Sequence, residues 1–320
     1  MTLEFLEKIG ALNMDFYRID SLNTSTVPMP VSGNFQTIVR VVFGNKGNKF
    51  AALITFIDGK FWTYKLNLLS GEMEGSEQSL ESCLAIARSA INGYQTCLNA
   101  NYCSKFSQMV STALTTKSLI IEDDTALLKI YHEEDLQSLE QTMAQCFYKI
   151  DGKFITPYRS VQISLSKTGL VTRLYDGMGL HRVATTDVKI SREEAINLAV
   201  PYIIAYAKRH QQKVKEINAT LEYVSDITSN RGDRFAIYPQ WNVFATFDII
   251  NEENVFSYSV LMWADNGKVH HDDPQGSIQN SISDSPNLFP LLIAIIIVVF
   301  IFPGLGAYTM RRVKIRRKHR

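Results

Sequence analysis

The chain has 320 residues and a formal net charge of +1, from 33 Lys and Arg against 32 Asp and Glu. Residues 311–320 hold seven Lys and Arg and no acidic residue, so positions 1–310 carry 26 basic and 32 acidic side chains. This acidic balance excludes a nucleic-acid-binding body, which would need a basic face. Hydrophobic residues make up 46% of the chain, which excludes a disordered or low-complexity protein.

Residues 1–110 are predicted to form an N-terminal α+β module. The first 14 residues have the pattern of an amphipathic helix and contain no apolar run of signal-peptide length. Asp58-Gly59 is a two-residue hairpin signal between runs rich in β-branched and aromatic residues. An apolar stripe then predicts the helix Ser79–Thr96, which begins at a serine that can cap it. The strands predicted in this module are Phe35–Phe43, Ala51–Ile57 and Lys60–Leu68.

Residues 111–217 are predicted to form a second α+β module. Its strand-like runs are separated by turn signals at Asp123-Asp124, Asp151-Gly152 and Lys167–Gly169. The module ends in a predicted helix over Val188–His210. Ser191 is its predicted N-cap, and Glu194 three residues later completes a capping box. Pro201 is expected to kink or divide the helix.

Residues 218–276 are predicted to form a β-rich C-terminal module. Its predicted strands are Leu221–Val224, Gln240–Phe247, Phe256–Trp263 and Lys268–His270. Alternation in Gln240–Phe247 leaves both faces rather apolar, which indicates a sheet with one face under a helix and the other partly covered. Asp265-Asn266-Gly267 predicts a tight turn with positive φ. The fold class expected for the body is therefore α+β, with antiparallel sheets that are each packed by one or two helices.

A polar stalk, residues 277–287, leads into a predicted transmembrane helix. Leu288–Thr309 has 22 residues without a charge. A helix of that length is about 33 Å long, close to the roughly 30 Å of a bilayer's hydrocarbon core. The tail, residues 310–320, is basic, and the residues that flank the predicted helix on this side are Arg311, Arg312 and Lys314. The lipid bilayer is therefore an expected partner.

The charge distribution also predicts an orientation in the membrane. Cytoplasmic flanks carry an excess of Lys and Arg, so we expect a single-pass protein with a cytoplasmic tail and an extracytoplasmic body. Export requires a signal, and Glu4, Glu7 and Lys8 interrupt the N-terminal segment. Either the true start lies upstream, or the protein is a tail-anchored adaptor with a cytoplasmic body.

Residues 190–199, ISREEAINLA, follow a strand pair with a glycine turn. This pattern resembles the PepSY domain, a module of secreted peptidase propeptides and bacterial cell-envelope proteins. Residues 238–269 and 5–17 resemble parts of uncharacterised archaeal single-span surface proteins, in which a PepSY-like ectodomain precedes one membrane helix and a basic tail. The resemblance is carried by short motifs over most of the chain. It implies a binding or inhibitory module without catalytic residues, whose partner is a peptide, an envelope peptidase or another surface protein.

The chain lacks the common sequence motifs of catalytic sites. The chain contains no G-x-S-x-G, H-E-x-x-H, phosphate-cradling glycine loop or paired C-x-x-C, so we assign no catalytic residue, cofactor or metal ligand. The alternative is a metal-assisted hydrolase built on the cluster His270, His271 and Asp272, whose side chains are of metal-ligating types. Neighbouring strand residues point to opposite faces, which favours a solvated turn. The hydrolase would need His181 or His132 to converge on the cluster.

Aromatic residues in the predicted strands allow a binding surface for peptides or glycans. The candidates are Trp62, Tyr64, Trp241 and Trp263. The same alternation of aromatic residues is typical of core packing. Arg231-Gly232-Asp233 matches a cell-adhesion tripeptide, and its setting predicts a turn. The four cysteines permit two disulfides and are as typical of free thiols.

Overall fold

The computed structural model describes residues 2–276, except for positions 11, 13, 30–32, 46, 74, 133–139, 226–230, 249 and 251–254. Nine strands of this part form one sheet: β1 (Arg18–Pro28), β2 (Phe35–Gly44), β3 (Lys49–Ile57), β4 (Lys60–Ser70), β5 (Ile120–Glu122), β6 (Ala126–His132), β7 (Thr142–Tyr148), β8 (Ser160–Leu165) and β9 (Val171–Asp176). Their order is β1-β2-β3-β4-β9-β8-β7-β6-β5. Every neighbouring pair is antiparallel.

Three helices pack against this sheet: α1 (Thr2–Lys8), α2 (Leu80–Leu98) and α3 (Cys103–Thr116). Short 3₁₀ helices span Met14–Phe16 and Pro157–Arg159. On β2 the core residues are Val41 and Phe43, and alternate residues of a strand point to the same side. The three helices therefore cover one face of the first sheet.

Turn and cap predictions for the first module are confirmed. Asp58 and Gly59 both have positive φ, 48° and 77°, as a two-residue hairpin of the right twist requires. The hydroxyl oxygen of Ser79 accepts a hydrogen bond of 3.2 Å from the Ser82 amide at the start of α2. This bond satisfies one of the amides that a helix leaves unpaired at its first turn.

Two of the longer elements, α3 and β1, were not predicted. In α3, Phe106, Met109, Val110 and Ala113 are buried at helical spacing, and many Ser and Thr residues between them weaken the helix signal. In β1, ten of eleven residues are exposed. An exposed edge strand has no hydrophobic alternation to reveal it, because neither of its faces is buried.

The second sheet contains β10 (Arg182–Val183), β11 (Val214–Ser225), β12 (Ala236–Phe247), β13 (Val255–Trp263) and β14 (Val269–Gly276). Strand β12 is central, because it pairs antiparallel with β11 and β13 and, over two residues, parallel with β10. Strand β14 follows β13 at the edge.

The helix α4 (Arg192–Arg209) packs against this sheet. Its predicted capping box is confirmed: the Ser191 hydroxyl accepts from the Glu194 amide at 3.2 Å, and the Ser191 amide donates to Glu194 Oε2 at 2.8 Å. Pro201 does not divide the helix, which runs continuously through it. Since Ala195, Ala199 and Ile203 recur at helical spacing, one side of α4 is buried on the sheet.

Residues Met1–Gln275 form one compact unit, and its sheets do not follow the predicted modules one by one. Strands β4 and β9 are hydrogen-bonded, with Thr63 opposite Tyr175, so the first two predicted modules share one sheet. The predicted boundary at residue 110 lies inside α3, and the boundary at 217 lies inside β11. No short sequence pattern signals a pairing between strands this far apart in the chain. The broader expectation, an α+β structure with antiparallel sheets and few helices, is confirmed.

Within the described part of the chain, no helix is both long and apolar enough to cross a bilayer. The predicted stalk 277–287, transmembrane helix 288–309 and basic tail 310–320 lie outside that part. They therefore stay predictions.

Candidate functional site

The candidate site lies on the face of the second sheet that α4 does not cover. On β12, Val243 and Ala245 point toward α4 and are fully buried. Asn242, Phe244 and Thr246 alternate with them and are half-buried, which confirms the predicted arrangement of one covered and one partly covered face.

Aromatic side chains are stacked at one end of this open face. Trp263 ends β13 and is paired in register with Gln240, which alternates away from the α4 side. The His270 ring from β14 stacks on the Trp263 ring at 4.2 Å between centroids, with 19° between the planes. The Tyr238 ring meets Trp263 edge-on at 5.7 Å. Three strands thus each supply one ring.

Arg231 joins these rings through its guanidinium group. The Arg231 Cζ atom lies 3.9 Å from the Tyr238 ring centroid and 5.1 Å from that of Trp263. A guanidinium over aromatic rings is attracted by about 0.5–2 kcal/mol, depending on desolvation. Asp265 holds the other side of the group, with Nη2–Oδ2 at 2.5 Å and Nη1–Oδ1 at 3.2 Å. Their side chains are 20% and 13% exposed, so the pair is well shielded from solvent.

A hydrogen bond at the edge of the His270 ring is the second contact that orients it. Its Nε2 lies 2.9 Å from Gln240 Oε1. An amide oxygen can only accept, so Nε2 carries a proton in this arrangement. The histidine ring is therefore oriented from both its face and its edge.

The turn between β13 and β14 is the tight turn that the sequence predicts. Gly267 has φ of 72°, and its amide donates to the Trp263 carbonyl at 2.8 Å. The Lys268 amide donates to Asn266 Oδ1 at 2.9 Å. These bonds set the backbone from which Asn266 and Lys268 extend, both of them exposed.

These groups surround an open cleft of about 560 Å³. The residues that line it are Arg231, Tyr238, Trp263, Asn266, Lys268, Val269 and His270. The lining combines aromatic side chains with nitrogen donors from five side-chain types and contains no carboxylate. Such a surface can hold an extended polar segment by stacking, hydrogen bonds and charge.

The four predicted aromatic candidates do not form one surface. Trp263 lines the cleft, whereas Tyr64 is fully buried in the core under α1 and α2. Trp241 is 8% exposed beneath α4, and its Nε1 donates to the Ile190 carbonyl at 2.8 Å. Trp62 is half-buried on β4, in the first sheet. Three of the four therefore serve packing or sheet positions outside the cleft.

The histidines of the hydrolase alternative have separate partners. His271 is exposed on β14, and the Tyr258 hydroxyl donates to Asp272. His132 Nδ1 is 2.8 Å from Thr142 Oγ1 in the first sheet. Across residues 2–276, where described, no three His, Cys, Asp or Glu side chains are close enough to hold a metal ion. The convergence that this alternative requires is thus missing from the described part.

His181 lies at the junction of the two sheets. Its ring is packed between Tyr158, at 5.1 Å, and Phe235, at 5.5 Å. Its Nδ1 is 3.1 Å from the Gly177 carbonyl oxygen, which can only accept. Burial lowers the pKa of His181, while its hydrogen bond to the Gly177 carbonyl opposes that shift. The surroundings therefore favour the neutral imidazole, which serves as a packing group.

Arg231 was not among the predicted site residues, although it was noted in the tripeptide Arg231-Gly232-Asp233. Both charged side chains of that tripeptide form ion pairs within the chain. Arg231 pairs with Asp265, and Asp233 accepts two hydrogen bonds from Arg182, at 2.9 and 3.1 Å. Asp265, the partner of Arg231, is 34 positions away. No local pattern signals that contact.

A second polar cluster lies inside the first sheet's core and is not open to solvent. Asp176 is 1% exposed and accepts hydrogen bonds from the hydroxyl groups of Tyr94 and Tyr102 and from the Gly179 amide. Burial raises the pKa of Asp176, and the tyrosine hydroxyls oppose that effect. The cluster ties the end of β9 to α2 and to the start of α3. All four cysteines are free thiols, and three are buried.

Comparisons with known proteins give one similarity. No family model matches the chain, and no curated protein matches it. Among solved structures, the C-terminal domain of YpeB from Bacillus megaterium is similar, with 12% identity and a TM-score of 0.35 over 86% of this chain and 96% of that domain. A TM-score this low carries no argument about fold or function, so the PepSY resemblance rests on the residues of this chain.

Proposed function

We propose that this chain is a membrane-anchored, non-catalytic surface protein whose PepSY-like body binds an extended peptide segment of a partner protein in the cleft beside β13 and β14. The partner would be an envelope peptidase or another surface protein, and no cofactor takes part. The PepSY resemblance of residues 190–199 supports a binding role. The separate partners of the histidines favour binding over metal-assisted hydrolysis.

The observation that carries the proposal is the preorganised cleft. Arg231 is held by Asp265 on one side and by aromatic rings on the other, and His270 is fixed by Trp263 and Gln240. Side chains held in this way lose little conformational freedom when a ligand binds. Aromatic and arginine side chains are also the types that dominate binding energy at interfaces.

The membrane anchor is supported by sequence alone, through the uncharged run Leu288–Thr309 and the basic residues after it. The body is proposed to be extracytoplasmic. Protease treatment of intact cells, followed by detection of the body and of the tail, tests this placement. Digestion of the body by protease in cells that were not permeabilised supports export. Full protection of the body from protease shows that the protein is instead a tail-anchored cytoplasmic adaptor.

The binding role is tested with a random 12-residue peptide library displayed on phage and selected against the full chain in lipid nanodiscs. Selected peptides are then synthesised, and their dissociation constants are measured by fluorescence anisotropy. We expect Tyr238→Ala to weaken binding at least tenfold, because it removes the ring that supports Arg231. Tyr131→Ala is the matched control, since Tyr131 is an exposed tyrosine on β6. If no peptide is selected, or if both variants bind alike, the proposal is wrong.

A further inference from the structure

We infer that the ligand segment carries a carboxylate that pairs with Lys268, so that the cleft selects acidic peptides. This inference rests on the proposed function and adds the chemical class of the ligand. Its basis is the distribution of charge around the cleft.

One cationic group of the lining is not balanced by an acidic one. Arg231 and Lys268 line the cleft, and no lining residue is acidic. Asp265, next to the cleft, is bound to the Arg231 guanidinium, so these two charges offset each other. The ammonium group of Lys268 is then the remaining full charge at the opening.

Lys268 is also placed to meet a ligand. It is exposed, and it forms no ion pair with any of the described residues. Its backbone is fixed by the bond of its amide to Asn266 and by the positive φ of Gly267. A lysine on a fixed turn beside a cleft is well suited to a single charge-assisted hydrogen bond.

The surroundings favour one carboxylate over a polyanion. Positions 1–310 carry 26 basic and 32 acidic residues, and a body with this balance repels nucleic acids and anionic lipid surfaces at long range. Asp272 and Asp273 follow directly on β14. Neither residue lines the cleft, and Asp272 accepts a hydrogen bond from Tyr258, so both add to the acidic balance of the body without filling the cleft.

The apolar part of the lining indicates which other side chain the ligand carries. Tyr238 and Val269, both half-buried, present apolar surface next to the lysine, whereas Trp263 is 3% exposed and packs against the Tyr238 ring. A peptide with an acidic side chain beside an apolar or aromatic one matches both features. A free inorganic anion would use only the charge.

The test uses the 12-residue peptides selected on the full chain in nanodiscs. We expect every binder that depends on Tyr238 to contain an Asp or Glu whose replacement by Asn or Gln weakens binding at least fivefold. Replacing the same acidic residue of the peptide should change its affinity for the Lys268→Gln variant only slightly, because that variant lacks the lysine that would pair with the carboxylate. Lys268→Glu should weaken the acidic peptide at least tenfold. Lys60→Glu, at an exposed lysine that begins β4, serves as the control for net charge.

The outcomes separate the inference from the proposed function. Binders whose affinity does not change when their acidic residue is neutralised overturn the inference and leave peptide binding in the cleft intact. Equal effects of Lys268→Glu and Lys60→Glu also overturn it, because they show a general charge effect. Selection of no peptide at all overturns the proposed function. Circular dichroism of each variant shows that it is folded, and Lys268 is exposed, so its replacement does not disturb the core.

Discussion

Two buried tyrosines in one core offer a direct test of the structure, because the same chemical change should have opposite effects on them. Tyr64 on β4 is 0% exposed, and Tyr94 on α2 is 1% exposed. The Tyr94 hydroxyl donates to Asp176. The Tyr64 hydroxyl has no hydrogen-bond partner among the described residues, and burial raises the pKa of Tyr64. The Tyr64 hydroxyl lies against Gly10: a Cβ atom placed on that glycine would be 3.0 Å from the hydroxyl oxygen.

We expect Tyr64→Phe to stabilise the protein. A buried hydroxyl without a partner costs about 1–3 kcal/mol of desolvation free energy. Removing one oxygen leaves a small void, which costs a few tenths of a kcal/mol at about 24 cal/mol per Å³. The net expected gain in the free energy of unfolding is about 1–2 kcal/mol. For a body of this size, that corresponds to a rise of roughly 2–8 °C in Tm.

Tyr94→Phe should destabilise the protein. It deletes the same atom, but that atom donates a hydrogen bond to a buried carboxyl group. Hydrogen bonds to charged groups contribute about 1.5–3 kcal/mol. Tyr102 and the Gly179 amide still donate to Asp176, so the loss should stay within that range.

The assay is urea unfolding of the full chain in nanodiscs, followed by the fluorescence of the three tryptophans. The slope with denaturant should be the same for both variants, so that a change in midpoint reports a change in stability. A loss of more than about 1 kcal/mol in Tyr64→Phe would refute the reasoning, because it would show that the hydroxyl has a partner. A neutral Tyr94→Phe would show that the Asp176 cluster does not form as described.

Three further predictions concern other regions. Ser191→Ala removes the N-cap of α4 and should cost about 1 kcal/mol in the free energy of unfolding, whereas Ser191→Asp should retain most of it. The lowered pKa of His181 means that the folded state disfavours its protonation, so its contribution to stability is complete above the ordinary value of 6.5 and decreases as the pH falls below it. His181→Gln should therefore flatten the pH dependence of the unfolding midpoint below about pH 6.5, and an unchanged slope would contradict the placement of this ring. Cys97 is the cysteine with partial exposure, so a thiol reagent should label one site in the native chain and four in denaturant without reductant; fewer than four would indicate a disulfide.

Local features of the fold were predictable where one short segment contains the whole signal. The capping box of Ser191 and Glu194 and the Asp58-Gly59 hairpin each depend on residues within four positions of one another. The strands β2, β3 and β4 were also predicted, since each is rich in β-branched and aromatic residues. Burial then confirmed that these patterns face the core.

The candidate site was predictable only in part. Trp263 and His270 were singled out, but their roles were assigned separately, to an aromatic surface and to a metal cluster. Their stacking depends on how β14 folds back on β13. Tyr64 and Trp241 show the limit of composition, because the same aromatic residue suits a core and a binding surface equally well.

The sequence by itself determined the local elements, the acidic balance of the body, and the predicted membrane segment with its basic flank, because each of these is a property of consecutive residues. Only the tertiary structure decided that β4 pairs with β9, and that Arg231 meets Asp265 and Tyr238. Such contacts join residues far apart in the chain, and they form because the sheets bury a common core and leave one face of the second sheet open. The cleft is a product of that arrangement, and no single segment of the sequence encodes it.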